Sequence, residues 1–83
     1  MPPIANIKED KSTGSVICYN IRGSIYTTIH IGSAYNYSHI KNGHIVIHCE
    51  DSSANICEFR IYDLYGKYVK SVPSGSSDAI GWD

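Results

Sequence analysis

Residues 35–50 read YNYSHIKNGHIVIHCE, and the Asn42-Gly43 pair at the centre of this stretch decides how it folds. An Asn-Gly pair between two alternating runs is the strongest short-range signal for a β-hairpin with a two-residue type I′ turn, which needs positive φ at both turn residues. A two-residue loop also fixes the register. The predicted cross-strand pairs are Lys41 with His44, His39 with Val46, and Tyr37 with His48.

Side-chain alternation along this hairpin predicts two faces of different character. One face is apolar and is expected to be core, and its members are Ile40, Ile45, Ile47 and Cys49. The other face is aromatic and rich in histidine, and its members are Tyr35, Tyr37, His39, Lys41, His44, Val46, His48 and Glu50. A solvated strand face more often carries Lys, Glu and Thr, so the composition of the second face needs an explanation. Either it is a contact surface or it is a second buried face.

The rest of the chain uses the same residue types. The whole chain contains thirteen Ile, four Val and seven Tyr, but only one Leu, four Ala and three Glu. Because β-branched and aromatic side chains favour strands, an all-β fold follows.

Turn signals recur about every ten residues and divide the chain into six or seven strands, the spacing of a small antiparallel sandwich or barrel. Residues 1–83 are expected to form one domain, in which residues 1–15 are a poorly ordered lead or an edge strand. Runs 16–22 and 25–31 alternate, the second with Ile25, Thr27 and Ile29 on one face. Run 56–63 is expected to place Cys57, Phe59 and Ile61 inward.

Residues 48–83 resemble bacterial immunoglobulin-like modules of the FlgD-like and type IX sorting-domain kind. The resemblance rests on residues 59–71, FRIYDLYGKYVKS, where a strand ending in Ile-Tyr-Asp runs through a Gly-Lys turn into a Val-containing strand, and on Trp82-Asp83. It implies an immunoglobulin-like β-sandwich. It implies no catalytic activity, since such modules are structural or export elements.

Three histidines share the aromatic face, which raises the question of a metal site. His44 and His48 are four residues apart on one strand, so their Cα atoms lie roughly 13 Å apart at about 3.3 Å per residue. Only His39 with one neighbour could ligate an ion, and two ligands do not complete a tetrahedral zinc site. We therefore predict no metal site and no cofactor.

Cys49 and Cys57 flank the loop at residues 51–55, and two interpretations stay open. If Ile47 pairs with Phe59, the two thiols lie opposite each other and within reach of a disulfide. Otherwise both are small buried apolar residues. Cys18 is unpaired in either case.

Catalytic motifs are missing from the chain. It has no Gly-x-Ser-x-Gly elbow and no phosphate-binding glycine loop, and its eight acidic residues are scattered. With 83 residues, a water-excluding catalytic cleft is hard to build. We expect a protein that is not an enzyme.

Tyrosine supplies large amphipathic contact area at low entropic cost, which is why it is enriched at recognition surfaces. Tyr26, Tyr35, Tyr37 and Tyr62 fall on faces predicted to point outward. The leading hypothesis is a protein-interaction module, self-associating or binding another protein, whose contact residues are Tyr35, Tyr37, His39, His44 and His48. The alternatives are a carbohydrate-binding β-sandwich, in which Tyr35, Tyr37 or Trp82 stacks on sugar rings, and a small RNA-binding β-barrel.

Charge and hydropathy bear on partners and location. The net charge is −1, so no basic surplus is present to neutralise a phosphate backbone, and RNA ranks last. No apolar run approaches the roughly 20 residues of a membrane span. Three cysteines and no apolar leader favour a reducing, cytoplasmic compartment.

Overall fold

The computed structural model describes residues 1–83 and is built almost wholly from strands. Its seven strands are β1 (Asn6–Asp10), β2 (Ser15–Tyr19), β3 (Ile25–His30), β4 (Tyr35–Lys41), β5 (His44–Glu50), β6 (Ile56–Asp63) and β7 (Tyr68–Pro73). The helical parts are two short 3-10 turns, Gly32–Ala34 and Asp78–Gly81. Neither turn has the length and apolar character that a membrane-crossing helix requires. The all-β prediction is confirmed.

The strands form two antiparallel sheets, one in the order β1-β2-β3 and the other in the order β4-β5-β6-β7. The main core lies between them, where Val16, Cys18 and Ile29 of the smaller sheet meet Ile45 and Ile47 of the larger one. Ile4, which precedes β1, closes this cluster and is 2% exposed. The molecule is a small β-sandwich, with part of the lead at residues 1–15 forming its edge strand β1.

The Asn-Gly hairpin is confirmed in detail. Asn42 and Gly43 have φ values of 52° and 70°, and Lys41 pairs with His44. His39 pairs with Val46, and Tyr37 with His48, as the two-residue loop requires. Ile45 and Ile47 are fully buried as predicted, whereas Ile40 lies beyond the buried cluster and is 39% exposed.

A bulge in β6 overturns the predicted pairing of β5 with β6. Glu50 pairs with Ile56 and Cys49 with Glu58, so Cys57 is an extra residue without a cross-strand partner. The extra residue reverses the faces of the strand beyond it. Phe59 and Ile61 therefore share a face with Val46, on the outer side of the larger sheet, and Cys57 is exposed.

The outer side of the larger sheet carries a second core that alternation does not predict. Val46, Phe59, Ile61 and Val72 are buried there beneath Ala79, with Trp82 packed against them. The cover is the C-terminal segment, residues 78–83, which the sequence pattern presents only as a short tail. Strand β5 is thus buried on both faces over five consecutive residues.

The smaller sheet differs from prediction at its loop end. Strand β2 ends at Tyr19, so Ile21 lies in the β2–β3 loop and is 80% exposed. Tyr26 is an extra residue in β3, because Cys18 pairs with Thr27 and Tyr19 with Ile25. The bulge turns Ile25 away from Ile29, so the prediction that both lie on one face is wrong.

Candidate interaction surface

Four of the five predicted contact residues lie together on the outer face of the larger sheet. Strand β4 contributes Tyr37 and His39, and β5 contributes His44 and His48. Tyr37 is 38% exposed, His39 and His44 are half-buried, and His48 is 1% exposed.

The fifth residue, Tyr35, lies on the opposite face, and its predicted placement is wrong. The register between β4 and β5 shifts between Tyr35 and Tyr37, which reverses the alternation at the start of β4. Tyr35 is therefore buried in the core between the sheets, at 8% exposure. Burial raises the pKa of its phenol to about 12, and its hydroxyl oxygen lies 3.3 Å from that of Ser38. It cannot touch a partner while the sandwich is closed.

His48 is the centre of an aromatic cluster. Its ring stacks on Tyr37 with 3.9 Å between centroids and contacts Phe59 at 4.3 Å. Its Nε2 lies 3.2 Å from Nδ1 of His39, while its own Nδ1 is buried and has no hydrogen-bond partner. Burial lowers the pKa of His48, and the neighbouring His39 lowers it further against a smaller opposing effect of Asp83.

A chain of hydrogen bonds links this cluster to the C-terminal segment. His39 Nε2 lies 3.1 Å from the carbonyl oxygen of Trp82, so this nitrogen donates to it. With Nε2 carrying the proton, a neutral His39 accepts at Nδ1, and His48 donates from Nε2. The network is satisfied with both histidines neutral, apart from the bare Nδ1 of His48.

Other contacts fix the C-terminal segment over the hairpin. Lys41 Nζ donates to the main-chain oxygen of Asp83 at 2.7 Å, and Asn42 Nδ2 donates to that of Gly81 at 3.3 Å. The His44 ring meets the Trp82 ring edge-on at 5.2 Å. We call the part of the outer face that carries Tyr37, His39, His44 and His48 the Tyr/His face. Much of it is an intramolecular contact surface, which explains why so few Lys and Glu residues lie on it.

Metal-binding groups do not converge anywhere in the molecule, since no three His, Cys, Asp or Glu side chains come together. The cysteines are also separate. Cys49 lies opposite Glu58, and all three cysteines are free thiols. Burial raises the pKa of Cys18 to about 11 and that of Cys49 in the same direction, so both stay protonated and unreactive.

A group of exposed apolar side chains lies at the loop end of the smaller sheet. Ile21, Ile25 and Tyr26 are 80%, 62% and 46% exposed there, and Met1 is fully exposed. Met1, Ile21 and Tyr26, with Pro2, Pro3 and Arg22, line an open groove of about 500 Å³, and Ile25 precedes Tyr26 in the chain. We call the set Met1, Ile21, Ile25 and Tyr26 the end patch.

Alternation along the sequence does not predict the end patch, because it places Ile21 in a strand. The signal that corrects this placement is Asn20. Its side-chain oxygen accepts the N–H groups of Arg22 and Ser24, forming a loop that ends β2 at Tyr19. Asn followed three residues later by Gly is typical of such a turn.

No protein-family model, curated protein sequence or solved structure significantly matches this chain.

Proposed function

We propose that this chain is a protein-interaction module without catalytic activity and that the end patch is its contact surface. One observation supports this proposal above all. Three large apolar side chains, Ile21, Ile25 and Tyr26, are exposed close to one another at the loop end of the smaller sheet, outside the two packed cores. Contiguous exposed apolar patches rimmed by polar residues are typical of protein contact sites.

The groove within the end patch strengthens the proposal. Its lining is predominantly apolar, with Asn20 and Arg22 supplying polar groups at the rim. An apolar centre with a polar rim is the usual anatomy of a protein interface. An Arg at such a rim can orient a partner without being desolvated.

The test compares two isoleucines of similar exposure. Ile21→Lys places a charge in the end patch, and Ile80→Lys places the same charge on the C-terminal segment, where Ile80 is 76% exposed. We expect wild-type protein and Ile80→Lys to retain a partner from a lysate of the source cells, and Ile21→Lys to lose it. Equal capture by both variants would contradict the end patch as the contact surface.

A second surface is supported by the exposed remainder of the Tyr/His face. Tyr37, His39 and His44 retain access to solvent, and aromatic and imidazole groups contribute strongly to binding. If this face binds, Tyr37→Ala should weaken association by at least about 1 kcal/mol. Because Tyr37 stacks on the buried His48, stability must be measured on the same variant. Loss of stability with unchanged binding would assign Tyr37 to the core.

Carbohydrate binding is the second candidate function, and the position of Tyr37 and Trp82 on one partly exposed face favours it. Against it, Lys70 Nζ lies 5.5 Å from the centre of the Trp82 ring and His44 packs on the same ring. These contacts leave less of the ring for a sugar. Retention on a polysaccharide resin that is abolished by Tyr37→Ala would favour this function over protein binding.

The immunoglobulin-like assignment is also part of the proposal. Strands β6 and β7, with the Asp63–Lys67 turn between them, supply the hairpin on which the resemblance rests. The resemblance implies a structural or export role, and neither role requires catalytic activity.

A further inference from the structure

Strand order leaves four sheet edges, and three of them are protected. Strands β1 and β4 border each other, where the Glu9 carboxylate accepts the Ser38 N–H at 3.0 Å, and β1 carries three charged residues. Strand β7 contains Lys70, ends at Pro73 and lies against the 3-10 turn Asp78–Gly81. Charges, proline and covering segments are the usual protection against edge-to-edge pairing.

The fourth edge, β3, has none of these. It reads IYTTIH, with four β-branched residues and no charged residue or proline. No Lys, Arg, Asp or Glu occurs from residue 23 to residue 40. Backbone hydrogen bonds of residues 25–30 are confined to the ladder with β2, so the outward N–H and C=O groups of β3 face solvent.

The regular part of this edge is short but adjoins the end patch. The bulge at Tyr26 lies near the start of the strand and leaves Thr27–His30 regular. Ile25 and Tyr26, which belong to the end patch, directly precede these residues in the chain and are exposed. A strand that pairs with β3 would therefore gain both main-chain hydrogen bonds and apolar contact.

We propose that the partner at this edge is a second copy of the chain, paired antiparallel to β3 about a two-fold axis at Thr28. The proposal rests on the proposed function and names its partner. Two β3 strands bring no like charges together. The antiparallel direction also keeps the two Arg22 side chains at opposite ends of the paired strands. Each Arg22 lies six positions from the axis at Thr28, so the two are separated by 12 strand positions, or about 40 Å.

The same register places Tyr26 opposite His30 of the partner subunit, an aromatic cross-strand pair. The two three-stranded sheets would then form one six-stranded sheet. The ladder spans residues 26–30 of each copy, and one of these, Tyr26, is the bulged residue. We therefore expect a weak dimer with a Kd between about 10 µM and about 1 mM.

The experiment places charges on the two-fold axis, because Thr28 faces its own copy there and its side chain is exposed. Like charges directly opposite each other in a sheet are destabilising, and opposite charges are favourable. In sedimentation equilibrium, Thr28→Lys and Thr28→Glu should each raise the dimer Kd at least tenfold. An equimolar mixture of the two should recover association. Val69→Lys, an exposed position on the β7 edge, is the control and should dimerise like wild type.

Several results would overturn the proposal. A wild-type protein that stays monomeric up to about 1 mM would do so, as would a Thr28→Lys variant that dimerises unchanged or a mixture that recovers nothing. If the variants do not fold, amide exchange of the wild type decides. The protection of β3 amides should rise with protein concentration, while the protection of β7 amides should not. The same concentration dependence in both strands would contradict the proposal. A monomer that still captures a lysate protein through Ile21 would refute self-pairing and leave the proposed function intact.

Discussion

Gly14 is a residue for which no other amino acid fits, for two separable reasons. Its φ of 64° lies in the left-handed region, and a Cβ built on it would lie 2.2 Å from the carbonyl oxygen of Gly32. The Gly14 carbonyl accepts hydrogen bonds from the N–H groups of Ile31 and Gly32, which holds the two segments together. The turn after β1 thereby fixes the end of β3.

Gly14→Ala should therefore lower the free energy of unfolding by about 3 kcal/mol or more. Gly23→Ala is the matched control, since Gly23 has a φ of 83° but a Cβ added to it would meet nothing within 4 Å. It should cost about 1 kcal/mol from the backbone alone. Urea denaturation of both variants measures the difference, and equal losses would show that the contact with Gly32 is unimportant.

His48 makes stability depend on pH. Its pKa is lowered in the folded state, chiefly by burial, so the unfolded chain takes up a proton first as the pH falls below 6.5. The free energy of unfolding should be constant above that pH and should decrease below it, until the folded pKa is reached. The denaturation midpoint between about pH 7.5 and pH 5 measures the effect.

His48→Phe is the informative variant for this dependence. Phenylalanine keeps an aromatic ring between Tyr37 and Phe59 but cannot be protonated. The decrease below pH 6.5 should become smaller than in the wild type. An unchanged pH profile in the variant would mean that other groups cause the dependence.

At the scale of elements, three loops share one geometry that connects neighbouring strands. In Asn20–Ser24, Asp51–Asn55 and Asp63–Lys67, the first side-chain oxygen accepts two backbone N–H groups, from the third and fifth residues. The fourth residue has positive φ in each, namely Gly23, Ala54 and Gly66. Ala54, with a φ of 63°, is the one of the three that is not glycine.

Ala54→Gly should therefore stabilise the protein by about 0.5 to 1 kcal/mol. The substitution removes the strain of a Cβ in the left-handed region, and this gain in free energy is larger than the extra conformational entropy that glycine loses on folding. Ala5→Gly, at an exposed position without positive φ, should instead be neutral or destabilising. Thermal denaturation of both variants checks the prediction. A destabilised Ala54→Gly variant would show that the strain is negligible.

The sequence predicts an element correctly where neighbouring residues determine its backbone geometry. It predicts the faces of a strand wrongly where one extra residue changes the register. Asn42-Gly43 carries its own turn geometry, so its hairpin can be derived residue by residue. The bulges at Tyr26 and Cys57 have no comparable local signature, and each reverses the faces of the residues beyond it. The run Ile45–Cys49 is nearly continuous in apolar residues, which is typical of a strand buried on both faces. Alternation alone, applied to this run, wrongly predicts a solvent face at His48.

For the whole molecule, the C-terminal segment makes a third layer over the larger sheet. Ala79 is 3% exposed against this sheet, whereas the adjacent Ile80 is 76% exposed. Ala79→Lys should lower the free energy of unfolding by about 3 kcal/mol, since it forces a charge into the second core. Ile80→Lys should change it by less than about 0.5 kcal/mol. Similar effects at the two positions in chemical denaturation would contradict the packing of this segment.

We propose that the molecule pairs with a second copy through β3 at the end of its smaller sheet, whereas most of its Tyr/His face is occupied by its own C-terminal segment. A dilution series followed by amide NMR tests this most directly, because it reports on both surfaces in one sample. We expect concentration-dependent shifts at Ile21 and along β3, with the signals of Tyr37, His39 and His44 unchanged. Shifts confined to those three residues, or no shifts up to about 1 mM, would contradict the claim.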